Sequence, residues 1–336
     1  MVEKSVTVLG GGTFGTALAD LLGRNGHHVK LWMRDSQQVS TLLSTRENTK
    51  YLKGYKLSQN IHPTASLKEA VYKSALLFIS IPSKFFKSVI VEVGDSITGD
   101  QILVSTTKGF EADTFKSMSQ IILEETCCLK VGVLSGPNLA KEIIEKKPAG
   151  TVIASEFDEV IEMTQQLLAG PTMRVYGNHD LFGVELGGAL KNIYAICAGL
   201  ITALDLGDNT KSLMMTRALS EMSRFARKLN ANPLTFLGLA GVGDLIATCS
   251  SPKSRNFQVG WQLGSGKSLK EAVDSLGQVA EGVRTTQFVK VKADELGVYM
   301  PIVEAIYQVL YDNTPVTDAI HNLMSASHRA DIDFLT

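Results

Sequence analysis

Short apolar runs alternate with amphipathic stretches through the first half of the chain. The apolar runs are rich in Val, Ile and Leu with little alternation, which is typical of strands covered by helices on both faces. Strands are predicted at Ser5–Leu9, Val29–Met33, Ala75–Ile79, Ile102–Ser105, Lys130–Leu134, Thr151–Ala154 and Arg174–Tyr176. Helices are predicted between them at Gly15–Asn25, Lys84–Val93, Phe115–Glu125, Leu139–Glu145 and Glu159–Leu168. This rhythm predicts a doubly wound α/β domain around a parallel sheet.

The strand pattern disappears after about residue 179, and only helical periodicity follows. Helices are predicted at Leu181–Leu204, Ser212–Leu229, Asn256–Leu263, Leu269–Ser275, Thr285–Leu296, Pro301–Leu310 and Thr317–Ala326. The apolar run Ile193–Leu204 is shorter than the roughly 20 residues that a membrane span needs, so we interpret it as part of a buried core helix. We therefore expect two domains, an α/β domain over residues 1–188 and an all-α domain over residues 189–336.

The composition supports this interpretation and excludes several classes of protein. The 336 residues are 44% hydrophobic and 20% charged, which is the balance of a globular chain and not of a disordered one. The 33 basic and 34 acidic side chains nearly cancel, so no general attraction to nucleic acid or to an anionic membrane is expected. The four cysteines, Cys127, Cys128, Cys197 and Cys249, show neither a disulfide framework nor metal-ligand spacing, which favours a reducing cytoplasm and no metal.

A glycine turn, defined here as Gly10–Gly15, directly follows the first predicted strand and opens the first predicted helix. Gly10, Gly12 and Gly15 form the GxGxxG pattern. The first glycine permits the tight turn, the second lets the backbone approach a pyrophosphate, and the third lets the helix and strand pack closely. The free N–H groups of the helix then favour phosphate oxygens. The pattern in this context predicts a Rossmann-type domain that binds a dinucleotide.

The end of the second predicted strand carries adjacent charges of opposite sign, Arg34 and Asp35. A carboxylate here is typical of NAD binders, and an arginine is typical of NADP binders. Asp35 has a second interpretation as the cap of the next helix. We expect the coenzyme to be NAD(H) or NADP(H), with NADPH accepted at least as well as NADH.

Lys191 is the strongest candidate for acid–base chemistry. It lies within Glu185–Asn192 (ELGGALKN), just before the apolar run, and Gly187 and Gly188 leave room on its helix face for a ligand or another backbone. A lysine in a buried helix must be paired, or its pKa is lowered by desolvation to about 7–8, which suits general acid–base catalysis. The alternative is a lysine that reaches solvent at a helix end.

Two further clusters favour the catalytic interpretation. Gly238–Asp244 (GLAGVGD) is a glycine-rich turn that delivers a carboxylate suited to pair with a lysine. Ser254, Arg255 and Asn256 supply a hydroxyl, a guanidinium and an amide at a predicted helix start, a combination that suits a substrate phosphate. The alternative is that Ser254 only caps the helix and that Arg255 is solvated.

Taken together, these motifs resemble the bacterial type of NAD(P)-dependent glycerol-3-phosphate dehydrogenase. The matching stretches follow in the family's order across almost the whole chain: GGGTFGTALA (10–19), IPS (81–83), TKG (107–109), LSGPNLAKE (134–142), ELGGALKN (185–192), GLAGVGDL (238–245), SRN (254–256) and QVAEG (278–282). The chain departs from the family at Asn138, where Ser or Thr is usual, at Lys53 in place of a proline, and at Phe257 in place of a basic residue.

The resemblance implies roles for individual residues. Lys191 would exchange the proton of the reacting hydroxyl, with Lys108 and Asp244 beside it. The implied substrate contacts are Lys108, Gly136, Asn138, Lys191, Asp244, Ser254, Arg255 and Asn256. The implied dinucleotide contacts, besides the three glycines, are Thr13, Phe14, Arg34, Lys108, Ala140, Arg255, Val279 and Glu281.

The implied reaction is the interconversion of dihydroxyacetone phosphate and sn-glycerol 3-phosphate by hydride transfer, supplying phospholipid synthesis. The implied partners are a small phosphate substrate and a second copy of the chain in a homodimer. Two alternatives stay open from the residues: an enzyme like β-hydroxyacid dehydrogenase or ketopantoate reductase, and a non-catalytic sensor of NAD(H).

Overall fold

The computed structural model describes residues 5–112, 114–277 and 280–325. The chain divides into two compact units. The sheet unit comprises Met1–Lys108 and Lys116–Leu181, and the helical unit comprises Gly109–Phe115 and Phe182–Thr336. The short segment Gly109–Phe115 belongs to the helical unit because its rings join that core: Phe115 stacks on Phe110 at 4.2 Å and meets Phe225 edge-on at 5.9 Å.

The sheet unit is built on eight strands. They are β1 (Ser5–Leu9), β2 (Val29–Trp32), β3 (Ile61–Thr64), β4 (Ser74–Ile79), β5 (Ile102–Ser105), β6 (Val131–Ser135), β7 (Ala149–Ala154) and β8 (Met173–Asn178). Their order in the sheet is β3-β2-β1-β4-β5-β6-β7-β8, and every neighbouring pair is parallel except β6 with β7. The predicted doubly wound α/β class is confirmed, with this one antiparallel pair as an addition.

Seven α-helices belong to the sheet unit within residues 5–112 and 114–180. They are α1 (Thr13–Arg24), α2 (Ser36–Thr45), α3 (Leu67–Val71), α4 (Ser83–Gly94), α5 (Met118–Glu125), α6 (Ala140–Ile144) and α7 (Asp158–Leu168). Successive strand residues point to opposite faces, and both faces are covered. In β4, Leu76 and Phe78 join one apolar cluster, whereas Leu77 and Ile79 join the other.

Strand β3, helix α3 and helix α10 (Asp244–Cys249) were not predicted from the sequence, and α2 was anticipated only as the helix that Asp35 could cap. β3 has only four residues, and it contains Pro63 and an exposed His62. A proline is tolerated in an edge strand because no neighbour needs its missing N–H. The apolar run is therefore too short and too interrupted to be recognised as a strand.

The helical unit contains eight α-helices among the described residues, together with a 3-10 helix at Pro233–Leu237 and a π-helical turn at Leu239–Gly243. The α-helices are α8 (Leu181–Ala203), α9 (Gly207–Lys228), α10 (Asp244–Cys249), α11 (Arg255–Gly264), α12 (Leu269–Leu276), α13 (Glu281–Leu296), α14 (Pro301–Tyr311) and α15 (Val316–Met324). Helix α8 is the centre of this unit, since every residue from Gly183 to Ile201 is buried. It is long and apolar enough to cross a membrane, but 89% of its apolar window is buried inside the protein, as predicted for a core helix.

Candidate active site

The glycine turn connects β1 to α1 where the sheet order changes direction, between β1 and β4. Gly10 has a φ of +119°, and a Cβ there would lie 2.3 Å from the Ser80 carbonyl oxygen, so only glycine fits. A Cβ on Gly15 would lie 2.0 Å from the Gly10 carbonyl oxygen, which explains the close packing of α1 on the turn.

Gly12 differs from the other two glycines. A Cβ there would meet no described atom within 4 Å, and Gly12 precedes the first turn of α1. The missing side chain therefore leaves open space before the first turn of α1, and a helix N-terminus is a suitable place for a pyrophosphate. Thr13 and Phe14 begin the helix at this opening. The residues present fit a dinucleotide.

Arg34 and Asp35 follow β2 and have different surroundings. Asp35 is the N-cap of α2: its carboxylate accepts from the Gln37 N–H at 2.9 Å and from the Gln38 amide at 3.1 Å. These hydrogen bonds lower the pKa of Asp35. Arg34 is exposed, and its side chain makes no hydrogen bond or ion pair within the described parts of the chain. Asp35 therefore has the capping role that the sequence allowed.

Lys108 follows β5 in the sheet unit, and its amine donates to the Gly136 carbonyl at 3.1 Å. Gly136 has a φ of +140° and begins the turn after β6. In the same turn the Asn138 amide donates to the Thr151 hydroxyl at 2.8 Å, and Thr151 donates to the Ser135 carbonyl. The Asn138 Oδ1 is buried without a partner among the described residues. Ala140 begins helix α6 directly after this turn.

Lys191 is buried in α8 and paired. Its amine donates to the Asp244 carboxylate, and to the Thr248 hydroxyl at 2.5 Å. Asp244 and Thr248 are one turn apart on α10, and the hydroxyl lies 3.3 Å from the carboxylate oxygen. All three residues are at most 7% exposed. We call Lys191, Asp244 and Thr248 the lysine cluster. It holds the Lys191 amine in a buried site, between the Asp244 carboxylate and the Thr248 hydroxyl.

The glycines around the lysine cluster explain how Asp244 reaches it. Leu239–Gly243 form a π-helical turn that leads into α10. A Cβ on Gly241 would lie 2.2 Å from the Phe236 backbone, and a Cβ on Gly187 would lie 2.7 Å from the Ala240 carbonyl. The space beside Lys191 that the sequence indicated is thus used by another backbone segment, which carries Asp244.

Ser254, Arg255 and Asn256 lie at the start of α11. Ser254 is the N-cap, and its hydroxyl accepts from the Phe257 N–H at 3.4 Å. Arg255 is exposed; partial desolvation lowers the pKa of its guanidinium and the charge of Glu281 opposes that shift, so the group remains charged. Asn256 is buried, and its amide is bonded to protein partners on both atoms.

Two predicted dinucleotide contacts, Val279 and Glu281, are close in the sequence. Glu281 is the first residue of α13, and Val279 lies outside the described residues. Two residues beside the lysine cluster, Thr248 and Asn192, were not predicted from the sequence. The only sequence signal for Thr248 is its position four residues after Asp244, and the only signal for Asn192 is its position directly after Lys191.

The fold and the residues of the site define a class of protein: a dehydrogenase with a Rossmann-type dinucleotide-binding unit and a separate helical unit that carries a buried lysine. The chain belongs to the NAD-dependent glycerol-3-phosphate dehydrogenase family. The model of that family's N-terminus matches residues 5–161, and the model of its C-terminus matches residues 180–321. The resemblance read from the motifs is confirmed.

Individual relatives match over nearly their full length. The chain is 52% identical to the glycerol-3-phosphate dehydrogenase (NAD(P)+) of Pseudomonas syringae pv. tomato, over 99% of this chain and 98% of the relative. It is 52% identical to the enzyme of the same name from Azotobacter vinelandii, over 100% and 98%. The crystal structure of glycerol-3-phosphate dehydrogenase from Coxiella burnetii has a TM-score of 0.93 and 32% identity, covering 96% of this chain and 99% of that one.

Proposed function

We propose that this protein is an NAD(P)-dependent oxidoreductase that interconverts dihydroxyacetone phosphate and sn-glycerol 3-phosphate. The observation that carries the proposal is the lysine cluster, in which a buried amine is held by Asp244 and Thr248. An amine in this setting can give a proton to a carbonyl oxygen or take one from a hydroxyl. Residues 1–188 are assigned to dinucleotide binding, and residues 189–336 to substrate binding and catalysis.

In the direction of reduction, a hydride and a proton are added across the C2 carbonyl of the substrate. A nicotinamide dinucleotide held at the glycine turn would supply the hydride for the new C–H bond at C2. Lys191 delivers the proton to the carbonyl oxygen, and its return to the protonated state takes one proton from solvent. Asp244 keeps the amine oriented and offsets its charge in the buried site. In the oxidative direction the same amine accepts the hydroxyl proton.

The substrate phosphate needs cationic and hydrogen-bonding partners, because an uncompensated dianion is costly to desolvate. We assign this role to Arg255 with Ser254 and Asn256, and we assign further substrate contacts to Lys108, Gly136 and Asn138. The guanidinium fork of Arg255 matches phosphate oxygens in geometry. Its solvent-exposed position leaves it accessible to a ligand.

The dinucleotide is assigned to the glycine turn, with contacts from Thr13, Phe14, Arg34 and Ala140. Lys108, Arg255, Val279 and Glu281 complete the proposed contacts. Because the Asp35 carboxylate caps a helix, we assign the contact with the adenosine ribose to Arg34. An arginine at this position suits the 2′-phosphate of NADPH. We propose that both NADH and NADPH are accepted.

We further propose that the protein is a cytoplasmic homodimer that supplies glycerol phosphate for phospholipid synthesis. All four cysteines are free thiols, which fits a reducing compartment. The family resemblance supports the dimer and the metabolic use. Light scattering after size-exclusion chromatography tests the dimer, and the mass of a single 336-residue chain would contradict it.

Oxidation of NADH and NADPH with dihydroxyacetone phosphate tests the reaction itself. We expect turnover with this substrate and none with β-hydroxyacids or ketopantoate, whose carboxylates do not need a phosphate clamp. Turnover on a carboxylate substrate alone would favour the hydroxyacid alternative. Tight binding of NAD(H) with no turnover on any phosphate substrate would favour the sensor.

A further inference from the structure

The loop between α2 and β3, residues 46–60, contains no helix or strand, yet its own contacts close it. The Leu57 N–H donates to the Arg46 carbonyl at 2.8 Å, which brings the two ends of the loop together. Leu52 and Leu57 join the apolar cluster that α1 shares with the sheet. A compact loop of this kind holds its side chains in fixed positions and is frequently functional.

Asn48 of this loop binds the glycine turn through its side-chain amide. Its Nδ2 donates to the Gly11 carbonyl at 2.9 Å and to the Thr16 hydroxyl at 2.8 Å. The Thr16 N–H in turn donates to the Gly12 carbonyl at 2.9 Å, at the start of α1. An amide nitrogen has two hydrogens, so both donors of Asn48 are used by the turn and by the helix that follows it. Asn48 is only 3% exposed and is therefore not itself a ligand contact.

The bond to the Gly11 carbonyl fixes one peptide plane of the glycine turn. The Gly11 carbonyl and the Gly12 N–H belong to the same planar group, so holding one atom pair holds the other. Gly12 is the glycine beside the open space in front of α1. Met33 limits Gly11 as well, because a Cβ on Gly11 would lie 2.6 Å from the Met33 Cγ. The peptide that leads into the open space is thus fixed by groups from outside the turn.

We propose that Asn48 is a positioning residue for dinucleotide binding, which orients the Gly11–Gly12 peptide and ties it to the first turn of α1. This inference rests on the proposed assignment of the dinucleotide to the glycine turn. The loop that carries Asn48 is far from the turn in the sequence, so the GxGxxG pattern contains no trace of this contact. Asn48 prepares the turn before the ligand arrives, and the binding energy of the dinucleotide is not spent on ordering it.

Asn60 provides a matched control at the other end of the same loop. Its amide donates to the Gly23 carbonyl near the end of α1 at 2.9 Å. The bond has the same chemistry and length as the bond from Asn48 to Gly11, but it does not reach the glycine turn. Loss of the Asn60 bond therefore tests the attachment of the loop alone.

The affinity for NADH measures the positioning role directly. Asn48→Ala should raise the Kd for NADH about tenfold, because the bonds that hold the Gly11 peptide are lost. Asn60→Ala should stay within about twofold of wild type. Quenching of protein fluorescence without substrate measures both values, and thermal unfolding shows whether each variant is folded. An unchanged Kd in Asn48→Ala, or an equal rise in both variants, would overturn the proposal.

Steady-state kinetics separate this role from general damage. In Asn48→Ala the KM for NADH should rise with the Kd, whereas kcat and the KM for dihydroxyacetone phosphate should stay within about twofold of wild type. The reason is that the lysine cluster belongs to the helical unit and makes no use of the loop. A similar loss in kcat and in both KM values would contradict a role confined to the dinucleotide.

Thr16→Val divides the two bonds of Asn48, since it keeps the size of the side chain and removes only the second acceptor. The Kd for NADH should rise about threefold, and the double variant with Asn48→Ala should stay within about twofold of Asn48→Ala alone. Multiplication of the two effects would overturn the proposal. If Asn48→Ala does not fold, Thr16→Val against Asn60→Ala is the test, and an unchanged Kd in Thr16→Val would reject the role.

Hydrogen exchange tests the same role without any ligand. Peptides that cover residues 11–16 should exchange faster in Asn48→Ala than in wild type, and at the wild-type rate in Asn60→Ala. Mass spectrometry of the cofactor-free proteins measures this, and unchanged exchange in Asn48→Ala would reject the proposal. If the wild-type protein binds no dinucleotide, the proposed function fails, whereas the exchange rates still decide whether Asn48 holds the turn.

Discussion

The functional atoms of the glycine turn belong to consecutive residues, whereas those of the lysine cluster come from two helices separated in the chain. In the sheet unit, Gly10–Gly15 form the turn within one short segment, and Ser80 and Met33 are outside neighbours. In the helical unit, Lys191 and Asp244 are 53 residues apart and meet only because α8 is packed against the turn before α10.

This difference shows how each site depends on the rest of the protein. The glycine turn depends on backbone conformation, which glycine itself permits. The lysine cluster depends on packing, since each of its charged groups is stable in the interior only while the other is present. We therefore expect changes in the turn to act locally, and changes around the lysine cluster to act through stability as well as chemistry.

The largest effect is expected for Lys191→Met, which should lower kcat by about 10³-fold because the proton donor is lost. It also leaves Asp244 buried without its cation and should reduce stability. Lys191→Met combined with Asp244→Asn should restore much of the stability but none of the activity. Steady-state kinetics and denaturant unfolding of both variants measure these outcomes. Near wild-type kcat in the single variant would refute the proton-transfer role.

Glu221 tests how far the helical unit depends on distant contacts. Its buried carboxylate on α9 accepts from the Ile302 N–H at 2.7 Å and from the Tyr194 hydroxyl on α8 at 3.2 Å. Burial raises the pKa of Glu221 to about 7, and the charge of Arg224 and these hydrogen bonds oppose the shift. The folded state thus binds more protons than the unfolded state between the ordinary pKa of 4.5 and about 7.

The free energy of unfolding that depends on Glu221 should therefore fall as the pH rises from about 4.5 to 7, and level off above that. The loss relative to Glu221→Gln, which cannot ionise, should be about 2–3 kcal/mol. Urea unfolding of both proteins at several pH values measures it. Parallel pH profiles for the two proteins would show that the carboxyl does not titrate in this range.

In the glycine turn, two substitutions of the same kind should behave differently. Gly12→Ala projects into open space, so stability should stay near that of wild type while the Kd for NADH rises about ten- to a hundredfold. Gly15→Ala places a Cβ against the Gly10 carbonyl and should also lower stability by about 2 kcal/mol. Thermal unfolding and NADH titration separate them. If Gly12→Ala lost as much stability and as much NADH affinity as Gly15→Ala, Gly12 would be needed for the structure of the turn as well.

The smallest effect is expected at the end of β2. Arg34→Ala should reduce kcat/KM for NADPH about tenfold and leave that for NADH nearly unchanged, since only NADPH carries the 2′-phosphate. Gln37→Ala, on the exposed first turn of α2, provides a matched control. A strong preference of the wild-type protein for NADH would contradict the role assigned to Arg34.

Much of the fold was predictable because its strands are buried on both faces and form continuous apolar runs. Ser5–Leu9 and Ile102–Ser105 were predicted with the boundaries that the structure has. The missed elements have weak local signals: β3 contains a proline, and α10 has six residues and follows a π-helical turn. In the site, Thr248 and Asn192 were missed because their partners lie far away in the sequence.

The sequence by itself determined the class of fold, the glycine turn and the family, because these depend on local backbone preferences and on a specific order of short motifs. Only the tertiary structure decided which partner each polar group has. It pairs Lys191 with Asp244 and Thr248, uses Asp35 as a helix cap, and commits Asn256 to Asn192 and Gly282. The physical reason is that a buried polar group must find a partner, and the packing of distant helices determines which partners are within reach.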